Sequence, residues 1–325
     1  MTPLSLLDFC TVRDNETPHQ SMERSVELAQ TAEKLGYDRV WYSEHHNMPS
    51  IASSSPAVLI AHIAANTETI RLGAGGVMLP NHAPYVIAEQ FGTLAELYPG
   101  RIDLGLGRAP GTDQNTLGRA LRRDPMAAEN FPNDVVELQG YLADRSVIPG
   151  VTAVPGAGTN VPLYILGSSM FGATLAAKLG LPYSFASHFA PTHLEDATRY
   201  YRENFQPSEY CAEPYVIAAV NVTASDSAND AARQTELVHR DRVRALLGRQ
   251  GRSLTEEQLD AVMNSPQGHQ IIGMLRYTAE GTGDQVVDYL EKFAQHAQAD
   301  ELMISFQSPT HEEVLASMEI LAKAV

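Results

Sequence analysis

Two adjacent histidines and a carboxylate follow a short apolar run that ends at Tyr42, in the order Glu44, His45, His46. One carboxylate and two imidazoles can bind a metal ion or transfer protons near neutral pH. Neighbouring side chains on extended backbone point to opposite sides, so His45 and His46 cannot easily share one ion. We therefore favour a proton-transferring histidine over a metal site, and a structural role for the other ring remains open.

An arginine and a pair of serines also follow apolar runs. Gly107 and Arg108 follow one run, while Gly167, Ser168 and Ser169 follow another and precede a helical pattern. A guanidinium and a helix N-terminus with hydroxyl groups can bind one phosphate together. Taken alone, Arg108 could form a surface ion pair and Ser169 could be a simple N-cap. The combination favours a phosphate site.

Gly75 and Gly76 stand at the end of a third apolar run. Because neither residue has a side chain, the backbone can adopt a strained or cis peptide there and lie close to a flat ring. An ordinary turn is the alternative. Gly105, Gly107 and Gly111 superficially resemble a dinucleotide fingerprint, but their spacing is wrong and they do not open a helix directly. We reject that motif.

An alternation of strands and helices must position these residues. The predicted strands are Leu4–Phe9, Arg39–Tyr42, Ile70–Gly75, Ile102–Leu106, Pro162–Leu166, Tyr183–Ala186, Tyr215–Thr223 and Glu301–Phe306. A helical pattern follows each strand, which indicates parallel pairing through right-handed crossovers. Eight such units predict an α/β fold of the (β/α)₈ TIM-barrel type, whose active sites lie at the carboxyl ends of the strands. An open doubly wound sheet is the alternative.

The chain of 325 residues is long for one hydrophobic core, but a barrel with loops inserted at its C-terminal face accounts for the length. We therefore predict a single domain over residues 1–325. A polar, interrupted stretch at about residues 248–283 is a candidate active-site lid, in which Arg276 and Tyr277 could meet a polar substrate group.

The formal net charge is −16, with 23 Lys and Arg against 39 Asp and Glu. A surface this acidic repels nucleic-acid phosphates and anionic lipid, so we expect neither nucleic acid nor a membrane as a partner. The first apolar run has no basic region before it, which argues against a signal peptide and for the cytoplasm. We expect Cys10 and Cys211 to be reduced and buried.

These segments together resemble the bacterial luciferase-like monooxygenase superfamily along nearly the whole chain. The segments that carry the resemblance are AEKLGYDRVW at 32–41, EHHN at 44–47, LGAGGVMLPNH at 72–82, PGRIDLGLGRAPGTD at 99–113, LGSS at 166–169, FASHF at 185–189 and EGTG at 280–283.

The resemblance implies a flavin-using barrel in which FMN, reduced by a separate flavin reductase, reacts with O₂ to give a flavin hydroperoxide that oxygenates a small organic substrate. Arg108, Ser169 and the Ser168 backbone match the family's phosphate contacts, with Gly107 and Gly167 beside them. Gly75 and Gly76 match the dipeptide, often joined by a cis bond, under the isoalloxazine. His45 matches the histidine that assists chemistry at the flavin. Small single-chain relatives of luciferase are usually homo-oligomers, so we expect a homodimer.

One residue departs from the luciferase pattern. Gly107 stands where the light-emitting luciferase subunit has a reactive cysteine, so we do not expect light emission. Three alternatives stay open: a hydride-transfer oxidoreductase that uses the deazaflavin F420, a non-catalytic flavin-binding protein, and a metal-dependent hydrolase using Glu44, His45 and His46. The residues do not distinguish an aldehyde, a ketone, a sulfonate or a larger metabolite as the substrate.

Overall fold

The computed structural model describes residues 2–247 and 254–325. Within these ranges the strands are β1 (Leu4–Asp8), β2 (Arg39–Tyr42), β3 (Arg71–Met78), β4 (Ile102–Gly107), β5 (Leu163–Gly167), β6 (Tyr183–Phe185), β7 (Val216–Ala224), β8 (Thr278–Gly281) and β9 (Glu301–Phe306). The helices are α1 (Pro18–Leu35), α2 (Pro56–Ala64), α3 (Pro84–Leu97), α4 (Ala127–Leu142), α5 (Met170–Leu179), α6 (Leu194–Asn204), α7 (Ala228–Leu247), α8 (Glu256–Met263), α9 (Pro266–Gly273), α10 (Gly283–Ala297) and α11 (His311–Ala324). A 3₁₀ turn at Leu79–Asn81 and a π turn at Thr116–Ala120 lie between them.

Eight of these strands close into a parallel ring. The order is β1, β2, β3, β4, β5, β6, β7, β9, and the pairs β6–β7 and β9–β1 complete the circle. Closure confirms the predicted TIM barrel and excludes the open doubly wound sheet. All eight predicted strands belong to the ring.

The ninth strand was not predicted. β8 pairs with the last residues of β7, from Asn221 opposite Thr278 to Ala224 opposite Gly281, and lies outside the ring. It falls within the candidate lid.

Residues 254–283 of the candidate lid also contain α8 and α9. These two helices pack Leu259, Met263 and Ile271 against Val243 of α7 as a small separate core. Residues 248–253 of the candidate lid lie outside the described residues, and closure over the barrel stays a prediction.

Local signals define the helix ends. Thr17 caps α1 by accepting a hydrogen bond from the backbone N–H of Gln20, whose side chain accepts in return from the Thr17 N–H. Gly36 ends the helix at a φ of 79°, a left-handed conformation that favours glycine. Among the described helices none is both long and apolar enough to cross a membrane.

A buried ionic network fills the N-terminal end of the barrel. Arg39 Nη1 lies 2.7 Å from Asp103 and 2.8 Å from the Tyr164 hydroxyl, and Arg39 Nε lies 3.0 Å from Glu301. Ser5 donates a further hydrogen bond of 2.6 Å to Glu301. Burial lowers the pKa of Arg39, but the two carboxylates outweigh it and raise that pKa. Packed side chains therefore close this end of the barrel, here called the barrel plug, and active sites of TIM barrels lie at the other end.

Both cysteines are free thiols, as predicted. Cys10 is buried next to the Ser21 hydroxyl, at a Sγ to Oγ distance of 3.4 Å. Cys211 is only half-buried, so the predicted burial is wrong for that residue. It lies in the irregular segment between α6 and β7, outside the packed core, where its Sγ donates a hydrogen bond of 2.9 Å to the Glu213 carbonyl oxygen.

Candidate active site

Glu44 is the anchor of the barrel mouth. It lies just after β2 with no exposed surface, and its Oε1 accepts hydrogen bonds of 2.8 Å from both His46 Nε2 and His82 Nε2. Its Oε2 accepts a third bond, of 3.0 Å, from the backbone N–H of Met78 at the end of β3. Burial alone would raise the pKa of Glu44, but these hydrogen bonds outweigh it and lower the pKa to about 2. The carboxylate therefore stays ionised and fixes the loops after two strands.

His45 points away from this anchor, as the alternation of side chains predicts. Its Nδ1 lies 3.1 Å from the Ser43 hydroxyl, and its ring centroid lies 6.0 Å from that of Phe9, the residue after β1. His45 also lines an open depression of about 320 Å³ together with Asn47, Met48, Pro49, Ile51 and Ser54. A larger depression of about 560 Å³ lies at the opposite end of the barrel, at Thr2 and Gln298, and contains none of the predicted site residues.

The peptide bond between Gly75 and Gly76 is cis, and the register of β3 against β4 shifts there. A Cβ atom on Gly76 would lie 2.7 Å from the Gly105 carbonyl oxygen, and one on Gly75 would lie 2.9 Å from Cβ of Trp41. Neither position has room for a side chain. Both glycines therefore place only backbone at this point of β3, in close contact with β2 and β4.

Arg108 lies beside the N-terminus of α5. Its guanidinium carbon is 4.0 Å from the ring centroid of Phe171, in the first turn of that helix, and the side chain is exposed. Ser169 is the N-cap residue in an extended conformation, yet its hydroxyl makes no capping hydrogen bond. The first helical N–H groups and this hydroxyl are available to a ligand. Ser169 therefore occupies the N-cap position that the alternative interpretation gave it, but without the side-chain capping bond.

Two glycines bring this helix close to its strand. A Cβ atom on Gly172 would lie 3.3 Å from Cα of Gly167 and 3.1 Å from the ring of Tyr183. Ser168 and Ser169 consequently lie in a tight turn directly above β5. The donors of the turn, the helix N-terminus and the guanidinium of Arg108 fit the phosphate of a nucleotide-like cofactor.

Gly107 ends β4 directly before Arg108. A Cβ atom there would lie 3.2 Å from Sδ of Met78, which belongs to the neighbouring strand. The space at this position is therefore limited by Met78.

Two residues that face the mouth were not recognised as site residues from the sequence. His188 follows β6 and is 6% exposed, and its ring centroid lies 6.0 Å from that of Phe9. Burial, then the charge of Arg242 and the nearby His45, lower the pKa of His188 to about 3. Phe9 was assigned to the first strand itself, and His188 was noted only within the segment FASHF at 185–189. Phe9 and His188 could have been recognised from the sequence because each follows a strand.

The histidines do not form a metal centre in the part of the chain that the structure describes, where no group of three His, Cys, Asp or Glu side chains is placed to hold an ion. His46 and His82 both form hydrogen bonds with Glu44. Arg276, considered for the lid, donates a hydrogen bond of 2.7 Å to the Tyr277 hydroxyl, before β8.

Relatives of known sequence are similar over the whole chain. A luciferase-like monooxygenase of Escherichia coli K12 is 44% identical over 318 residues, 97% of this chain and 95% of that protein. An N-acetyl-S-alkylcysteine monooxygenase of Bacillus subtilis 168 is 32% identical over 343 residues, covering 100% of this chain and 98% of that protein.

Solved structures agree with the barrel. The crystal structure of apo-MsnO8 superposes with a TM-score of 0.88 at 34% identity, covering 100% of this chain and 98% of that one. The FMN complex of the oxygenating constituent of 3,6-diketocamphane monooxygenase from Pseudomonas putida has a TM-score of 0.73 at 14% identity, covering 100% and 99%. An F420-dependent secondary alcohol dehydrogenase has a TM-score of 0.71 at 15% identity, with the same coverage. At such low identity the last two show the fold alone.

The sequence model of the luciferase-like monooxygenases matches residues 4–301. With this match and the full-length relatives, the chain belongs to the luciferase-like monooxygenase family.

Proposed function

We propose that this protein is a monooxygenase that uses reduced FMN and O₂ to oxygenate a small organic substrate. The observation that carries the proposal is the phosphate site: Arg108 stacks on Phe171 at the N-terminus of α5, where the Ser169 hydroxyl has no capping bond. Membership of the luciferase-like monooxygenase family supports the same chemistry.

Each part of the site has a separate task. Arg108, Ser169 and the backbone at Ser168 bind the phosphate, and the bare backbone of Gly75 and Gly76 supports the ring. Reduced FMN held by these residues would supply the electrons with which one atom of O₂ enters the substrate and the other leaves as water. A separate flavin reductase supplies the reduced FMN in a transient encounter.

His45 handles protons in this proposal. Its ring is held on one side by Ser43 and on the other by Phe9, at the carboxyl end of β2. An imidazole is suited to transfer protons near neutral pH. Glu44 acts on the same loop as a positioning residue, because it ties the loop to His82 and Met78.

Hydride transfer with F420 is the second candidate, since an F420-dependent dehydrogenase shares the fold. Isotope labelling separates the two reactions. The protein is loaded with chemically reduced FMN and mixed with ¹⁸O₂ and a panel of aldehydes, ketones and thioethers. Labelled oxygen in an organic product supports the proposal. Unlabelled products in this sample, together with turnover of F420 in a parallel sample that contains F420 instead of FMN, contradict it.

A further inference from the structure

His188 has two buried ring nitrogens without a hydrogen-bond partner in the described part of the chain. The residue is 6% exposed and follows β6 at the barrel mouth. A buried polar group that has lost its water and found no partner destabilises the folded protein. Such an imidazole needs an explanation, and a ligand that pairs with one of its nitrogens is the direct one.

Hydrogen bonds hold the backbone around His188 in place, so the missing hydrogen bonds of its ring are not explained by a loosely packed segment. Asn221 Nδ2 of β7 donates a hydrogen bond of 2.8 Å to the His188 carbonyl oxygen. The preceding Ser187 hydroxyl donates to the Ala219 carbonyl oxygen of the same strand. Phe189 packs edge-on against the imidazole, with ring centroids 4.9 Å apart. The ring is therefore held in place before any ligand arrives.

Phe9 connects His188 to His45. The ring centroid of Phe9 lies 6.0 Å from each histidine ring, so the two histidines are no more than twice that distance apart. β1 and β6 are not neighbours in the ring, so the Phe9–His188 contact reaches across the mouth. A molecule that packs on Phe9 next to His45 would therefore lie close to the His188 ring.

The imidazole of His188 stays neutral, because burial and the charge of Arg242 disfavour its protonation. A neutral imidazole has one N–H donor and one acceptor nitrogen. Its complement on a ligand is an uncharged oxygen, and its aromatic neighbours complement an apolar body.

We propose that His188 orients the substrate by donating a hydrogen bond to an uncharged oxygen acceptor, such as a carbonyl, on a molecule whose apolar part packs against Phe9. This inference rests on the proposed monooxygenase function and adds a substrate class to it. His188 is a specificity-determining residue, whereas His45 carries the proton-transfer role.

The test uses molecules of one ring size that differ in their polar group: acetophenone, ethylbenzene and benzoate. Binding to the full-length, ¹⁵N-histidine-labelled protein is followed by NMR with and without FMN, and the His188 signals are assigned from their loss in His188→Gln. We expect acetophenone to bind about tenfold more tightly than ethylbenzene and to shift the His188 ring nitrogens, the discrimination expected of one hydrogen bond. In His188→Phe, which keeps an aromatic ring, the preference for the ketone should disappear.

Three results overturn the inference: unshifted His188 nitrogens with every compound, an unchanged ketone preference in His188→Phe, or tighter binding of benzoate than of acetophenone. The comparison of the three compounds on the unsubstituted protein does not depend on whether either variant folds, and His188→Phe gives the same signal assignment if His188→Gln does not fold. FMN titrations of the same samples report on the proposed function separately. If FMN binds normally but no ketone preference is found, only the proposed substrate class is wrong. If the ketone binds as expected but FMN does not bind, the proposed flavin cofactor is wrong.

Discussion

Glu44 Oε1 lies 2.8 Å from His82 Nε2, which ties the loop after β2 to the segment after β3. The same oxygen holds His46, and the second carboxylate oxygen holds the backbone of Met78. The loop that carries His45 and the strand that carries Gly75 and Gly76 are thus positioned by one buried charge. The residue that first suggested a metal ligand or an acid–base group acts as a structural anchor.

Replacing Glu44 by Gln should destabilise the protein by about 2–4 kcal/mol at pH 7, because a buried anion with three donors is lost. The pKa of Glu44 is about 2 in the folded protein, below its ordinary value of 4.5. Its contribution is therefore complete above about pH 4.5 and is lost as the pH falls towards 2. Urea unfolding at several pH values measures the difference between the two proteins.

Glu96→Gln is the matched control, since Glu96 is exposed on α3. It should change the free energy of unfolding by less than about 0.5 kcal/mol. A Glu44→Gln difference that stays constant from pH 7 to pH 3 would contradict the anchoring role.

Arg39 should be the most sensitive charged residue of the barrel plug. Arg39→Met leaves Asp103 and Glu301 without their shared cation, and removing one partner of a buried ion pair costs about 3–5 kcal/mol. Arg71 also pairs with Asp103, but its side chain is 34% exposed, so Arg71→Met should cost less. Denaturant unfolding measures the loss of stability in each variant. Equal losses in the two variants would show that burial does not determine which arginine contributes more.

The barrel was predictable because its strands are short apolar runs separated by helical patterns. β8 was not, because its sequence is TAEG, with Glu280 exposed and a glycine at the end. This strand forms because it pairs with β7. A four-residue polar segment has no alternation of apolar and polar residues from which a strand could be predicted.

The candidate site could be predicted as a set of strand ends but not as a set of contacts. Gly75, Gly76, Arg108 and Ser169 were proposed from their positions alone, and their roles stay predictions. The contact between Phe9 and His188 joins residues far apart in sequence on non-neighbouring strands, so no spacing rule reveals it.

Arg108→Ala should weaken FMN binding about 10- to 150-fold, because charge-assisted hydrogen bonds to phosphate contribute about 1.5–3 kcal/mol. Riboflavin lacks the phosphate, so its affinity should change little in the same variant. Fluorescence titrations of both flavins measure the two effects. Arg199→Ala, on the exposed face of α6, should leave both affinities unchanged. Equal losses for FMN and riboflavin would place Arg108 away from the phosphate.

His45→Ala should bind FMN nearly normally but turn over about 10²- to 10⁴-fold more slowly, the size of a general acid–base contribution. Single-turnover oxidation of a responsive substrate from the labelling panel provides the rate. His62→Ala, an exposed histidine on α2, is the control and should keep the full rate. Unchanged substrate oxidation in His45→Ala would leave that residue only a structural role.

The choice of cofactor is tested most directly by titrating the unsubstituted protein with FMN and F420, each in its reduced and oxidised form, under anaerobic conditions. The account predicts saturable binding of FMN at one molecule per chain and weaker binding of F420. Tighter binding of F420 than of FMN would contradict the proposed monooxygenase.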